Sequence, residues 1–208
     1  MFFTLSGFLI TTLLLRDHAA GGTTSLRRFW SRRVRRLWPA SALTLLLVVA
    51  YGALVAGPTE AAELRADLVA TVAQVSNWWF IVDGRSYGAL FQAPSMVQHY
   101  WSLAIEEQFY LVFPFLLVLA LRRGWDLRRV AAAIVGAMAL SALATVVIGG
   151  DASAADRIYY GTDTRLFELL AGTLAAVVAF RRPIASEQSR AAVAVVAAGA
   201  LPLVFALW

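Results

Sequence analysis

The chain has 208 residues, 60% hydrophobic and only 15% charged, with a mean hydropathy of +0.69. That balance excludes an ordinary water-soluble domain and points to a membrane protein. Its net charge of +5 comes from 18 basic residues, all arginine, against 13 acidic ones. In a membrane chain such charge first serves orientation, so nucleic acid is not expected as a partner. Cysteine is absent and His18 and His99 are the only imidazoles, which excludes disulfides and thiolate metal sites and gives no reason to expect a metal.

Taken in chain order, the apolar runs approach the roughly 20 residues that cross about 30 Å of hydrocarbon. The first, Met1 to Leu15, makes about 22 Å of helix, a short span. An apolar stretch begins at Met1 and another is still running at Trp208, so residues 1–208 read as a single membrane domain cut at both ends from a longer polytopic protein. The order of charges, apolar first and arginine after, is wrong for a signal peptide. Residues 16–36 form an Arg-rich loop with seven arginines, in which Ser25 caps a short helix ending at Pro39, and Pro39 starts the next span, to about Gly57. Glu63 to Val82 is amphipathic and ends in Asn77, Trp78, Trp79 and Phe80, aromatic rings that suit an interface; it reads as an interfacial or re-entrant segment. A loop over 83–94 precedes a full-length helix, His99 to Leu121. Further spans are expected over 130–148, 164–180 and 191–208.

The expected fold is therefore all-α, a polytopic transmembrane bundle of about six spanning helices plus one interfacial or re-entrant segment. Arginine density makes loops 16–36, 122–129 and 181–190 cytoplasmic and turns 58–98 and 149–162 outward, in a chain set in the cell membrane. This needs an even number of crossings between Gly57 and His99, and zero satisfies it.

Three features carry chemistry. In His99-Tyr-Trp-Ser-Leu-Ala-Ile-Glu-Glu-Gln-Phe-Tyr110, two adjacent carboxylates sit in an apolar segment, at a cost of about 2.5 to 3.5 kcal/mol for an acid at mid-membrane. On a helix His99, Leu103, Glu106 and Tyr110 share a face, and Glu107 points about 100° away. Glu106, about 10 Å inside the outer boundary, is suited to proton transfer, with pairing to a membrane-embedded arginine as the alternative; His99 is either a base or an interfacial residue. Second, Arg28, Arg32 and Arg36 recur at four-residue spacing, with Arg33 and Arg35 beside them, a row of guanidinium groups able to clamp phosphates or to bind anionic lipid. Third, Asp163-Thr-Arg165-Leu-Phe-Glu168 sets Arg165 and Glu168 three apart on one helix face, as a local ion pair or as part of a site. Gly172 permits close helix approach.

Four blocks, Phe2-Phe-Thr-Leu-Ser6-Gly-Phe-Leu-Ile-Thr11, Arg28-Phe-Trp-Ser-Arg-Arg-Val-Arg-Arg-Leu-Trp-Pro39, His99 to Pro114, and Arg165-Leu-Phe-Glu-Leu-Leu-Ala-Gly172, resemble in order and spacing the membrane acyltransferase 3 family, in its O-acetyltransferase branch. The resemblance implies transfer of an acyl group, usually acetyl, from cytoplasmic acyl-coenzyme A to a hydroxyl of a cell-surface or secreted glycan or related acceptor, with the lipid bilayer and helices of the rest of the chain as partners. It implies Arg28, Arg32, Arg33 and Arg36 as contacts to the donor phosphates. Glu106, with His99, is the candidate catalytic group, and Trp101, Ser102, Tyr110, Arg165 and Glu168 are candidate substrate contacts. The family's first helix, with an arginine pair and a catalytic histidine, precedes the first of these blocks, so no residue here matches it. The fragment alone is expected to be inactive. The readings from other classes are a transporter or flippase for an anionic or lipid-linked glycan and a non-catalytic membrane module.

Overall fold

Local chemistry sets the helix ends. Ser25 accepts the Arg28 N–H at 3.4 Å, Asp126 accepts the Arg129 N–H at 2.9 Å, and Pro58 opens a helix where its missing N–H is not needed. Gly124, at φ 76°, makes the tight link between two spans. The computed structural model describes residues 1–21, 25–85, 95–150 and 154–181, and all its elements among these residues are helices. They are α1 (Phe2–Ala19), α2 (Leu26–Leu54), α3 (Pro58–Val72), α4 (Ser76–Val82), α5 (Tyr100–Arg122), α6 (Leu127–Ile148), α7 (Ala155–Tyr160) and α8 (Thr162–Arg181).

Three of these, α2, α5 and α6, are long and apolar enough to cross a membrane. The 18 residues of α1 and 20 of α8 lie in the same bundle. The span expected over 191–208 lies outside the described residues. One expectation is corrected: the short helix ending at Pro39 and the span after it are one continuous helix, α2, with Pro39 inside. Proline inside a membrane helix removes a single backbone bond, which neighbours can compensate.

Side-chain pairs fix the directions. Phe3 meets Trp101 and Ser6 meets Glu106, so α1 runs parallel to α5. Trp30 donates to the Tyr110 carbonyl, Arg33 meets Glu107 and Tyr100 reaches the Ser41 carbonyl, so α2 runs antiparallel to α5. Bonds from Ser141 and Thr145 to the Asp163 and Thr164 carbonyls set α6 against α8. One end of the bundle therefore collects Arg16, Arg27, Arg28, Arg122, Arg123, Arg128, Arg129 and Arg181.

The end of α2 and the start of α5 lie at the opposite end, joined without a net crossing. Glu60 meets Tyr51, and Leu64 lies against Gly52, so α3 folds back along α2. It stops where Gln74 takes φ 59°, and α4 returns. Gln108, eight residues into α5 and so about 12 Å along it, donates to the Gln74 carbonyl at 2.8 Å. The hairpin thus reaches the level of Gln108 on α5, in the stretch expected from the sequence to be interfacial or re-entrant.

The core lies where α1 is wedged between α5 and α8. Leu14, Leu15, Ile105, Leu169 and Val177 are fully buried there. At Gly7 a Cβ would collide with the Leu169 carbonyl, and at Gly172 with the Thr4 carbonyl. Only glycine lets the two backbones come this close, the small-residue mode of membrane helix packing. Thr11 donates to the Gly7 carbonyl at 2.7 Å and Thr173 to the Leu169 carbonyl at 3.1 Å, with the two hydroxyl oxygens 3.2 Å apart, so the hydroxyls in this seam are satisfied.

Candidate functional site

The buried carboxyl group of Glu106 is the centre of the site. Six residues into α5, it lies about 9 Å along the helix axis from Tyr100. Its side chain is 4% exposed, which is tolerable for an acid only with partners of opposite charge or hydrogen-bond donors. Ser6 of α1 supplies a donor: its hydroxyl bonds to Oε1. Arg33 of α2 supplies charge, with Nη2 at 4.0 Å from Oε2 of Glu106 and Nε at 2.9 Å from Oε1 of Glu107. The Arg33 guanidinium also lies over the Tyr110 ring, 3.2 Å from its centroid, so one cation spans two carboxylates and an aromatic face. Trp30 holds this part of α2 against α5 through its bond to the Tyr110 carbonyl at 2.9 Å.

The pairing expected of Glu106 as the alternative to proton transfer is present, and the two roles are compatible. Two carboxylates share one guanidinium, and the shorter contact goes to Glu107. Glu106 keeps a hydroxyl as its nearest partner.

The arginine row divides. Arg33 turns inward to the carboxylates, whereas Arg28, Arg32 and Arg36 stay exposed, with Arg32 at 3.7 Å from Asp17. The row lies on a helix, and Arg36 comes three residues, about 4.5 Å, beyond Arg33 along α2. Its last member therefore reaches the depth of the acids.

Trp101 is buried against Phe3, Tyr159 and Tyr160, with ring centroids 5.9, 4.6 and 5.6 Å away. Arg165 bonds Glu168 at 2.7 Å and the Tyr159 carbonyl at 3.1 Å, and lies over the Tyr159 ring at 4.9 Å. The aromatic group thereby links α1, α5 and α8 just outside Glu106. His99 is different: it is exposed at the start of α5, its ring 4.7 Å from that of Tyr100, and its carbonyl accepts from Ser102 at 3.3 Å. Seven residues, about 10.5 Å of helix, separate it from Glu106.

Two supports were not singled out in the sequence. Gln108 donates to Asn77 at 3.0 Å and accepts from Thr162 at 2.7 Å, while Asn77 donates to the Tyr160 carbonyl at 3.0 Å. This buried network ties the hairpin and the start of α8 to the residue after the acid pair. Asp67 of α3, 1% exposed, accepts from Trp79 at 2.9 Å, Arg85 at 2.8 Å and Ser95 at 2.5 Å. Burial opposes the charge on Arg85, but Asp83 and Asp67 outweigh it and raise its pKa above the ordinary value. A polar residue such as Asn77 or Asp67 in an apolar amphipathic stretch was the available signal for both clusters.

Among the described residues no group of side chains could hold a metal ion. The fold and site define a polytopic membrane helix bundle in which a buried glutamate is held by a half-buried serine and a half-buried arginine, the latter belonging to a row whose other members are exposed. The chain belongs to the acyltransferase 3 family, whose acyltransferase-domain model matches residues 1–208. It is 40% identical over 194 residues to the peptidoglycan O-acetyltransferase OatA of Listeria monocytogenes, covering 92% of this chain and 31% of that protein. A putative peptidoglycan O-acetyltransferase of Bacillus subtilis, YrhL, is 42% identical over 182 residues, covering 86% and 28%. A putative O-acetyltransferase of Staphylococcus aureus (strain COL) is 39% identical over 182 residues, covering 84% and 29%. The chain spans about three-tenths of the length of these curated relatives. No solved structure matches it.

Proposed function

We propose that the protein is a membrane O-acetyltransferase that moves an acetyl group from acyl-coenzyme A to a hydroxyl of a cell-envelope glycan. The family supports acyl transfer, and the relatives' names support acetyl as the group and peptidoglycan as the class of acceptor. The observation that carries the reading is the placement of Glu106: buried, hydrogen-bonded to a hydroxyl, and at the depth reached by a row of exposed arginines. Guanidinium groups at membrane depth are costly unless they line a polar path, and a polyanionic donor is the ligand such a row suits.

In this reading the Arg-rich end faces the cytoplasm. Arg28, Arg32 and Arg36 contact the phosphates of coenzyme A, and its long thiol arm brings the thioester to Glu106. Arg33 orients the carboxylates. The acceptor arrives from the opposite end, past His99 and Ser102 and the group formed by Trp101, Tyr110, Arg165 and Glu168. The C–S bond of the thioester breaks and a C–O bond forms. The proton lost by the attacking hydroxyl passes through Glu106, and coenzyme A leaves as the thiol.

The test uses the full-length protein in membranes with labelled acetyl-coenzyme A and a glycan acceptor. Replacing a general base costs about 10²- to 10⁴-fold, so Glu106→Gln is expected to lose transfer by that order with the protein still inserted. Undiminished transfer by this variant removes Glu106 from the mechanism.

A further inference from the structure

We infer that Ser6 is an acyl-accepting nucleophile, so that transfer passes through an O-acetyl-Ser6 intermediate. The inference rests on the acyltransferase reading and goes beyond it, since direct attack by the acceptor would need no residue of this kind.

A serine becomes a nucleophile when a base within hydrogen-bond reach takes its proton and a third group orients that base. Ser6 meets these conditions. Its hydroxyl donates to Oε1 of Glu106, and Arg33 lies beside the other oxygen, with Nη2 at 4.0 Å from Oε2. Ser6 is half-buried while Glu106 is buried, so the nucleophile is accessible and the base shielded. The Tyr110 ring lies under the Arg33 guanidinium, 3.2 Å from its centroid, and so helps to hold that cation beside the pair. The Arg33 guanidinium supplies donors for the negative oxygen of a tetrahedral intermediate.

Of the other serine and threonine hydroxyls that bond a carboxylate among the described residues, Ser95 meets Asp67, whose oxygens already take Trp79 and Arg85. Thr11 and Ser141 give their protons to backbone carbonyls. These hydroxyls stabilise structure, and none has a base with capacity to spare.

Position supplies the second argument. On α1 Ser6 is only a few residues from the helix end where the acceptor arrives in the proposed reading, yet its partner Glu106 pairs with Arg33 of α2, a member of the arginine row that starts at the other end. A group held there can take an acetyl from one side and give it to the other. In the first half-reaction the Ser6 oxygen attacks the thioester carbonyl, the C–S bond breaks, Glu106 takes the serine proton and returns it to the departing thiolate. In the second, the acceptor hydroxyl attacks the acetyl-serine, Glu106 takes its proton and passes it to the Ser6 oxygen as the ester bond breaks.

The experiment incubates the full-length protein with labelled acetyl-coenzyme A without acceptor, quenches it in acid and maps the label by peptide mass spectrometry, with steady-state transfer measured in parallel. A label on Ser6, absent from Ser6→Ala and from Glu106→Gln and discharged on adding acceptor, is the expected result. Ser6→Cys is expected to keep the label as a thioester, now released by neutral hydroxylamine, which a merely structural serine would not do. Transfer by the unaltered protein with no label on Ser6, or transfer retained in Ser6→Ala, overturns the intermediate and leaves the acetyltransferase reading standing. Absence of both transfer and label overturns both.

Discussion

Replacing Arg33 by methionine keeps most of its apolar stem and removes the cation that lies between Glu106 and Glu107. At an effective dielectric of about 20, unit charges 4 Å apart attract by about 4 kcal/mol. Much of that is returned as desolvation and solvent screening, because the Arg33 and Glu107 side chains are 21% and 28% exposed. The net coupling should fall between the roughly 0.2 to 1 kcal/mol of exposed pairs and the roughly 3 to 5 kcal/mol lost when a buried pair is broken, at about 1 to 2 kcal/mol. The assay is a double-mutant cycle of Arg33→Met and Glu107→Gln, read from reversible unfolding in mixed micelles titrated with sodium dodecyl sulfate and followed by circular dichroism. The double variant is expected to lose less than the sum of the singles by that amount. Arg33→Lys should recover only part of it, since an ammonium cannot span two carboxylates while covering the Tyr110 ring. Additivity within about 0.3 kcal/mol would refute the coupling and return Arg33 to the exposed row.

Two further substitutions probe the frame around the site. Gly172→Ala puts a Cβ against the Thr4 carbonyl and should cost about 1 to 3 kcal/mol by overpacking; cysteines at Thr11 and Thr173, whose hydroxyls are 3.2 Å apart, should cross-link in the parent background and lose that cross-link in Gly172→Leu. Asp67→Ala strands the Trp79 indole and leaves the Arg85 guanidinium with Asp83 alone. It should destabilise by about 1 to 3 kcal/mol and speed tryptic cleavage after Arg85, whereas Asp67→Asn, which still accepts from Trp79, should do less.

Much of this frame was legible in the residues. Arginine density correctly grouped the ends of α1, α5 and α8 with the starts of α2 and α6, and parity between Gly57 and His99 favoured the fold-back that α3 and α4 make. The acid pair was found because charge in an apolar segment is costly wherever it occurs. Its partner was not, because Arg33 is 73 residues from Glu106 and 74 from Glu107 in sequence, and periodicity on one helix says nothing of which helix lies against it. Pro39 hid the same relation: treated as a boundary it cut α2 in two and assigned the arginines to a loop, whereas the continuous helix carries them to the depth of the acids. Ser6 stood inside a run of apolar residues, where a single hydroxyl satisfies its hydrogen bond within its own helix as readily as across an interface.

Glu106, Glu107 and Gln108 follow one another on α5, yet they bond to α1, to α2, and to the α3–α4 hairpin with α8. Successive side chains on a helix leave at about 100°, so three adjacent residues act like the teeth of a key, each engaging a different wall. The helix cannot turn about its axis without disengaging all three at once. A single residue inserted ahead of Glu106 would move every tooth to its neighbour's slot, while leaving hydropathy and composition almost unchanged. Rotational register, which no hydropathy profile records, is what this triplet encodes.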